Sequence, residues 1–414
     1  MPPVLGSPRT GPCPWGRVPR IWGPGSKKLA AFLLPAFLLT ACRPHDFPEY
    51  PPNYREFAYV TNGASGTVTV LDVVNVRVDR EIPVGQNPVA VAVSPTRNEV
   101  YVVNSGSENR QGSVSAINAE NNTVAATIAV HRTPVSIDVD SDGAFAYVAN
   151  SGSNSLSVLD LKARREVAVI GAGEEPSAVR LSPDGKSLVV SNRKGNSVTI
   201  VDPAARRVRA VFEGCAGASE IAVLPDSSKA FVACSAGHQV MAIALAHHDA
   251  TATRPDRLEA LMDVGRAPVY LALKPDGGEV FVCNALSNSI SEVSTPTNDV
   301  GGATLMGDNP RHAIVSRDNA LLYVSNFGSQ EVTLYSIDDG RRIAIRDGDN
   351  VAPSIHVGDG PSAMAFSAQG HLLFVVDTRS GDVAAVRTLS HSLFTILPAG
   401  RSPNAIAIKA FKVP

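Results

Sequence analysis

From residue 57 onward the chain alternates small apolar runs with polar turns, and the alternation has a period of two residues. Val89-Ala90-Val91-Ala92-Val93 is followed by a turn and then by Tyr101-Val102-Val103-Asn104. Period two puts successive side chains on opposite faces, so each run predicts a β-strand and each turn a hairpin. The second run ends in a tetrad that recurs at Tyr59-Val60-Thr61-Asn62, Tyr147-Val148-Ala149-Asn150, Val189-Val190-Ser191-Asn192, Phe231-Val232-Ala233-Cys234, Phe281-Val282-Cys283-Asn284, Tyr323-Val324-Ser325-Asn326 and Phe374-Val375-Val376-Asp377. The spacing is 42 to 51 residues. Turns such as Ser182-Pro183-Asp184-Gly185 precede the tetrads, and two further β-type runs follow each one. A unit of four strands repeated at this spacing predicts a propeller blade.

The chain enters on three strands of a unit, from Ala58 to Val84, and leaves on a lone first-type strand, Pro403 to Lys409. Three plus one completes a blade and leaves no open sheet edge. The expected fold is all-β: an eight-bladed propeller closed by its two ends, with seven blades as the alternative if the repeats near 231 or 374 are not blades.

Composition changes the picture at the N-terminus. Residues 1–41 hold five basic and no acidic residues, so against a whole-chain charge of −2 the rest carries seven net negative charges. Lys27-Lys28 and the apolar run Leu29 to Leu39 form a secretory signal too short to span a bilayer. Leu39-Thr40-Ala41-Cys42 resembles the bacterial lipobox, which makes Cys42 the lipidated mature N-terminus; Arg43, where an inner-membrane lipoprotein would carry Asp, favours the outer membrane. The expected divisions are a leader at 1–41, a proline-rich tether at 42–56 and one propeller at 57–414. The expected partners are the membrane, through the lipid, and an envelope protein. Nothing in the charge pattern points to nucleic acid.

The tetrads and Ser-Pro-Asp-Gly turns resemble the YVTN family of β-propeller repeats of secreted and surface proteins. That resemblance implies the fold and leaves activity open.

Of the cysteines after the anchor, Cys215 and Cys234 fall at the same end of one hairpin and are a candidate disulfide; two unpaired core thiols are the alternative. Cys283 is expected to be a buried free thiol. Asp138-Val139-Asp140-Ser141-Asp142-Gly143 opens like a calcium loop, but Ala146 and Ala149 stand where later ligands belong, so it reads as a turn. The histidines show no metal spacing; neither metal nor cofactor is expected. Both tryptophans, Trp15 and Trp22, lie in the leader, which argues against quinone-docking propellers. The loops expected around one end of the channel carry Arg132, Arg193, His238, Arg266, Arg311, His312, Arg379 and Arg401 as candidate ligand-binding residues, with His131, Glu174, Glu175 and Lys194 beside them. Converging arginines can hold a carboxylate or phosphate. No catalytic residue is identified by motif. The leading expectation is a lipid-anchored binding scaffold using a propeller face; the alternative is a lactonase-like hydrolase working in the channel.

Overall fold

The computed structural model describes residues 48–413 apart from 108–109, 249–252 and 348–349. Cys42 lies outside the described residues.

Eight four-stranded antiparallel sheets stand in a ring. Blade 1 is composite: Tyr54–Asn62, Thr67–Asp72 and Arg77–Pro83 are completed by Pro403–Lys412, which pairs with the first of these along its whole length. The repeats at 231 and 374 both build full blades, so the count is eight. The pairing with the C-terminal strand begins at Tyr54, inside the segment read as tether, and Tyr50 stacks on Tyr54 at 5.0 Å.

The tetrad explains itself in three dimensions. Its first residue is an aromatic ring in most blades, and Tyr59, Tyr101, Phe231, Phe281, Tyr323 and Phe374 are fully buried in the layers that glue one blade to the next. Burying such a ring stabilises by about 1.5–3 kcal/mol, repeated around the circle. Some hydroxyls reach the neighbouring blade: Tyr59 donates to Asn122 Oδ1 at 2.6 Å. The tetrad's last residue caps the hairpin that follows. Asn192 Nδ2 donates to Ser197 Oγ and Thr199 Oγ1, and Asn62, Asn150 and Asn284 repeat the arrangement with hydroxyls five and seven residues on, while Asn104, before a longer hairpin loop, reaches Ser113 and Ser115 nine and eleven residues on. A glycine in the loop joining two blades passes over this amide. A Cβ at Gly85 would meet Asn104 Cβ at 2.6 Å, so the close approach requires glycine there.

Blade 5 solves the same contact covalently. Cys234 takes the asparagine position and Cys215 the glycine position, and the two form a disulfide with Cα atoms 4.8 Å apart. Cys283 is a buried free thiol, its pKa pushed up to about 12 by burial.

Two long connections leave the opposite face. The one after Gln239–Ala244 carries a small hairpin, His247–His248 with Thr253–Arg254, between third and fourth strands. From sequence, residues 338–353 read as a second connection of this kind, between the third and fourth strands of their blade; the structure corrects that reading. They interrupt the fourth strand itself: Arg341–Ile343 pairs with the third strand, the hairpin Ile345–Asp347 and Asn350–Ala352 bulges out, and Ile355–His356 resumes the pairing. The outer strand is edge-exposed and tolerates such an interruption.

Candidate functional site in the central channel

The inner strand of every blade contacts the inner strand of the next, and Pro403–Lys412 contacts Pro88–Val93 to close the circle. These inner strands begin with Pro in all blades but one, which has Ala218. Their third and fifth residues share a face. In blades 8, 1 and 2 these positions are all alanine: Ala363, Ala365, Ala405, Ala407, Ala90 and Ala92. Small residues fit where strands crowd toward the axis.

Blades 3 to 7 break the alanine pattern in one contiguous arc. Asp138 and Arg180 are fifth residues of Pro134–Val139 and Pro176–Leu181; Glu220, Tyr270 and His312 are third residues of Ala218–Val223, Pro268–Leu273 and Pro310–Val315. Arg180 Nη2 donates to Glu220 Oε1 at 2.9 Å across the boundary between blades 4 and 5, and its Nη1 donates to the Val179 carbonyl. The Arg180 side chain remains 38% exposed, to the channel. Asp138 Oδ2 accepts the Leu181 N–H at 2.7 Å and so ties blade 3 to blade 4. Tyr270 and His312 pack ring against ring, centroids 4.0 Å apart.

Electrostatics fix the protonation states. Glu220 holds the Arg180 guanidinium above its ordinary pKa, so it stays charged. Burial, reinforced by Glu220, pushes the Tyr270 phenol up, so it keeps its proton and can donate it in a hydrogen bond. Burial pushes the His312 imidazole down to about 3, leaving it neutral, and its Nδ1 is buried without a partner. Burial raises Asp138. A cavity of about 280 Å3 is lined by Arg180, Glu220 and Tyr270 together with Leu181, Pro183, Ile221, Ala222, Val223, Leu271 and Leu273. Pro183 belongs to the first hairpin of blade 4, which places this cavity toward the end of the channel opposite the blade-to-blade loops.

The loop arginines singled out from sequence lie elsewhere and do not join the arc. Arg132, the last residue of the outer strand Thr123–Arg132, and Arg193, Arg266 and Arg401, on the blade-to-blade and second-to-third-strand loops, are exposed, and His238 Nδ1 accepts the Ala267 N–H at 3.1 Å. Arg266 and Arg401 donate to the carbonyls of Leu286 and Ala64. Arg379 and Arg311 instead share Phe327, their guanidinium carbons 4.3 and 5.5 Å from its ring centre, and Arg379 also meets Asp359 at 3.5 Å. His131 faces outward to Glu166 at 3.5 Å. Of the candidate ligand-binding residues named in advance, His312 alone stands in the arc; Asp138, singled out only as the opening of a turn, stands there as well. Arg180 and Glu220 were missed, although a charged residue interrupting an alanine strand was a readable signal. Among the described residues no group of three His, Cys, Asp or Glu is arranged to hold a metal.

Fold and site together define an eight-bladed propeller with one polar arc in an otherwise small-residue channel. The family model described as "Lactonase, 7-bladed beta-propeller" matches residues 57–169 and 204–343, and the chain belongs to that family, with one blade more than the family's description names. No curated protein matches it in sequence. Among solved structures it is similar to the dihydro-heme d1 dehydrogenase NirN, with 18% identity over 88% of this chain and 76% of that one at a TM-score of 0.66. It is also similar to apo AztD from Citrobacter koseri, with 13% identity, 86% and 98% coverage and a TM-score of 0.62. A third likeness is to Kuenenia stuttgartiensis hydrazine synthase, with 20% identity, 73% and 96% coverage and a TM-score of 0.52. At these identities the likeness concerns the fold.

Proposed function

We propose that the protein hydrolyses lactones in its channel while a lipid on Cys42 holds it at the bacterial envelope. The observation that carries this reading is the Arg180–Glu220 pair, with Tyr270 beside it, in a cavity whose other walls are apolar. Glu220 has one oxygen bound to Arg180, and the other is free to take a proton from an attacking water. As water adds to the acyl carbon, the carbonyl oxygen becomes an oxyanion, and the Tyr270 hydroxyl and Arg180 guanidinium are the donors that stabilise it. The ring C–O bond then breaks, and the proton taken by Glu220 passes to the leaving oxygen. Lactone and water become a hydroxy acid, with no other reactant needed. Family membership supports this reading.

The test is proton release from a panel of lactones by the purified full chain and by Glu220→Gln, which keeps the shape and the bond to Arg180. Hydrolysis by the native chain and its loss in the variant are expected; equal rates, or none in either, would contradict the proposal. The anchor is tested separately: Cys42→Ala releases the folded propeller into the soluble envelope fraction, and persistent membrane association would count against it.

A second reading keeps the propeller as an envelope scaffold. It is favoured by Phe327 on the loop face, flanked by Arg311 and Arg379 and suited to a protein partner. On that reading no lactone is turned over.

A further inference from the structure

We infer that the channel takes uncharged lactones bearing an aliphatic chain, and rejects phosphorylated or carboxylated ones. The inference rests on the hydrolase reading above and adds the substrate class.

Charge decides the first half. Arg180 is the single cation among the residues lining the cavity, and it is already committed to Glu220 at 2.9 Å. Asp138, next along the arc, also acts on Arg180. With Asp138 ionised the three groups sum to one negative charge, and with it protonated they sum to zero. In neither state is there a positive charge left for an anionic substituent, which would have to lie against Glu220 in a site of reduced dielectric. The other polar members do not change the sign: Tyr270 is held as a phenol and His312 as a neutral imidazole. Arg311, stacked on Phe327 on the loop face, is outside this cavity.

The lining decides the second half. Seven of the ten residues around the cavity are apolar: Leu181, Pro183, Ile221, Ala222, Val223, Leu271 and Leu273. They offer a hydrogen-bonding sugar ring no partners, but they match a hydrocarbon chain. At about 280 Å3 the cavity is at the small end of ligand sites, enough for a lactone ring and a short chain. The same charges favour turnover. The substrate enters neutral and the product is a carboxylate, formed beside Glu220 and therefore repelled from the site that made it.

The test uses the full-length protein with three substrates: γ-butyrolactone, γ-nonalactone and a phosphorylated aldonolactone. The expected result is that kcat/KM rises about fourfold for each methylene that finds a place in the cavity, so that γ-nonalactone exceeds γ-butyrolactone by well over tenfold, and that the phosphorylated lactone is at least tenfold poorer than γ-butyrolactone. Preference for the phosphorylated compound, or indifference to chain length while hydrolysis proceeds, overturns the substrate class and leaves the hydrolase reading standing. Calorimetric binding to Glu220→Gln separates the remaining case. If γ-nonalactone binds the variant but the native chain turns over no lactone, the hydrolase reading fails; if it binds neither form, both fail.

Discussion

The channel has two walls built on the same repeat. On blades 8, 1 and 2 the third and fifth residues of the inner strands are alanine throughout, while on blades 3 to 7 the same register positions bring Asp138, Arg180, Glu220, Tyr270 and His312 together. The first wall is what eight strands converging on one axis demand: small residues, no polar atoms to satisfy. The second wall departs from that demand at neighbouring blades, and its departures pair with one another. A repeat protein separates the two kinds of information cleanly. What every blade keeps builds the ring; what a few adjacent blades change is where chemistry can be sought. The belt above the channel shows the same contrast, since Asn caps the hairpin in most blades while Cys234 and Asp377 replace it in two.

Breaking the polar wall has the largest expected effect. Glu220→Gln lowers lactone turnover about a thousandfold, the scale of a lost general base, with the melting temperature nearly unchanged. A variant that melts early would instead give Glu220 a structural role.

Breaking the cross-link comes next. Replacing Cys215 and Cys234 by Ser removes a closure across 19 residues and costs about 3 kcal/mol in urea unfolding. Restoring the usual Gly and Asn pair there does not recover this. The residues five and seven after Cys234 are Gln239 and Met241, which offer no hydroxyl to receive an asparagine amide.

Asp377→Asn sharpens the comparison by returning blade 8 to the pattern. Asp377 is fully buried, its Oδ2 accepts the Gly358 N–H at 3.1 Å, and Oδ1 has no partner. Burial, with the neighbouring Asp382, pushes its pKa up from 3.8 to about 8. A folded-state pKa above the unfolded one means that the folded protein binds the extra proton. The group's contribution is therefore fully present below the unfolded value and is lost as pH rises toward about 8. The variant carries no charge there. It should match the native chain near pH 4 and exceed it by about 1–3 kcal/mol above pH 8, read from urea midpoints at both pH values. Equal midpoints at both would show that Asp377 titrates normally.

Ala92→Ser, on the small-residue wall, is the mildest change. It alters stability by about 0.5 kcal/mol or less and leaves turnover intact. Loss of hydrolysis in this variant would extend the site to the wall described as inert.

The fold was legible because a period of two, a tetrad and a Pro-Asp-Gly turn recur often enough for one blade to calibrate the others. The three-plus-one closure followed from where the repeats begin and end. Outer strands were harder: they are exposed on an edge, as in Val300–Leu305, and carry little pattern. The interruption at 345–352 therefore went unplaced within its strand. The site was only partly legible. His312 stood out by its position in an inner strand. Arg180 and Glu220 did not, because their partnership depends on the stagger between adjacent blades: a fifth residue of blade 4 meets a third residue of blade 5. No single repeat contains that offset. Loop arginines drew notice in their place, yet loop ends are polar in any propeller.

The most direct measurement is a crystal structure of Glu220→Gln soaked with γ-nonalactone. The lactone is expected in the channel, its carbonyl oxygen within hydrogen-bond distance of Tyr270 Oη and the Arg180 guanidinium, and its chain against Leu271 and Leu273. Density at Phe327 between Arg311 and Arg379, with the channel holding only water, would contradict the assignment of the site.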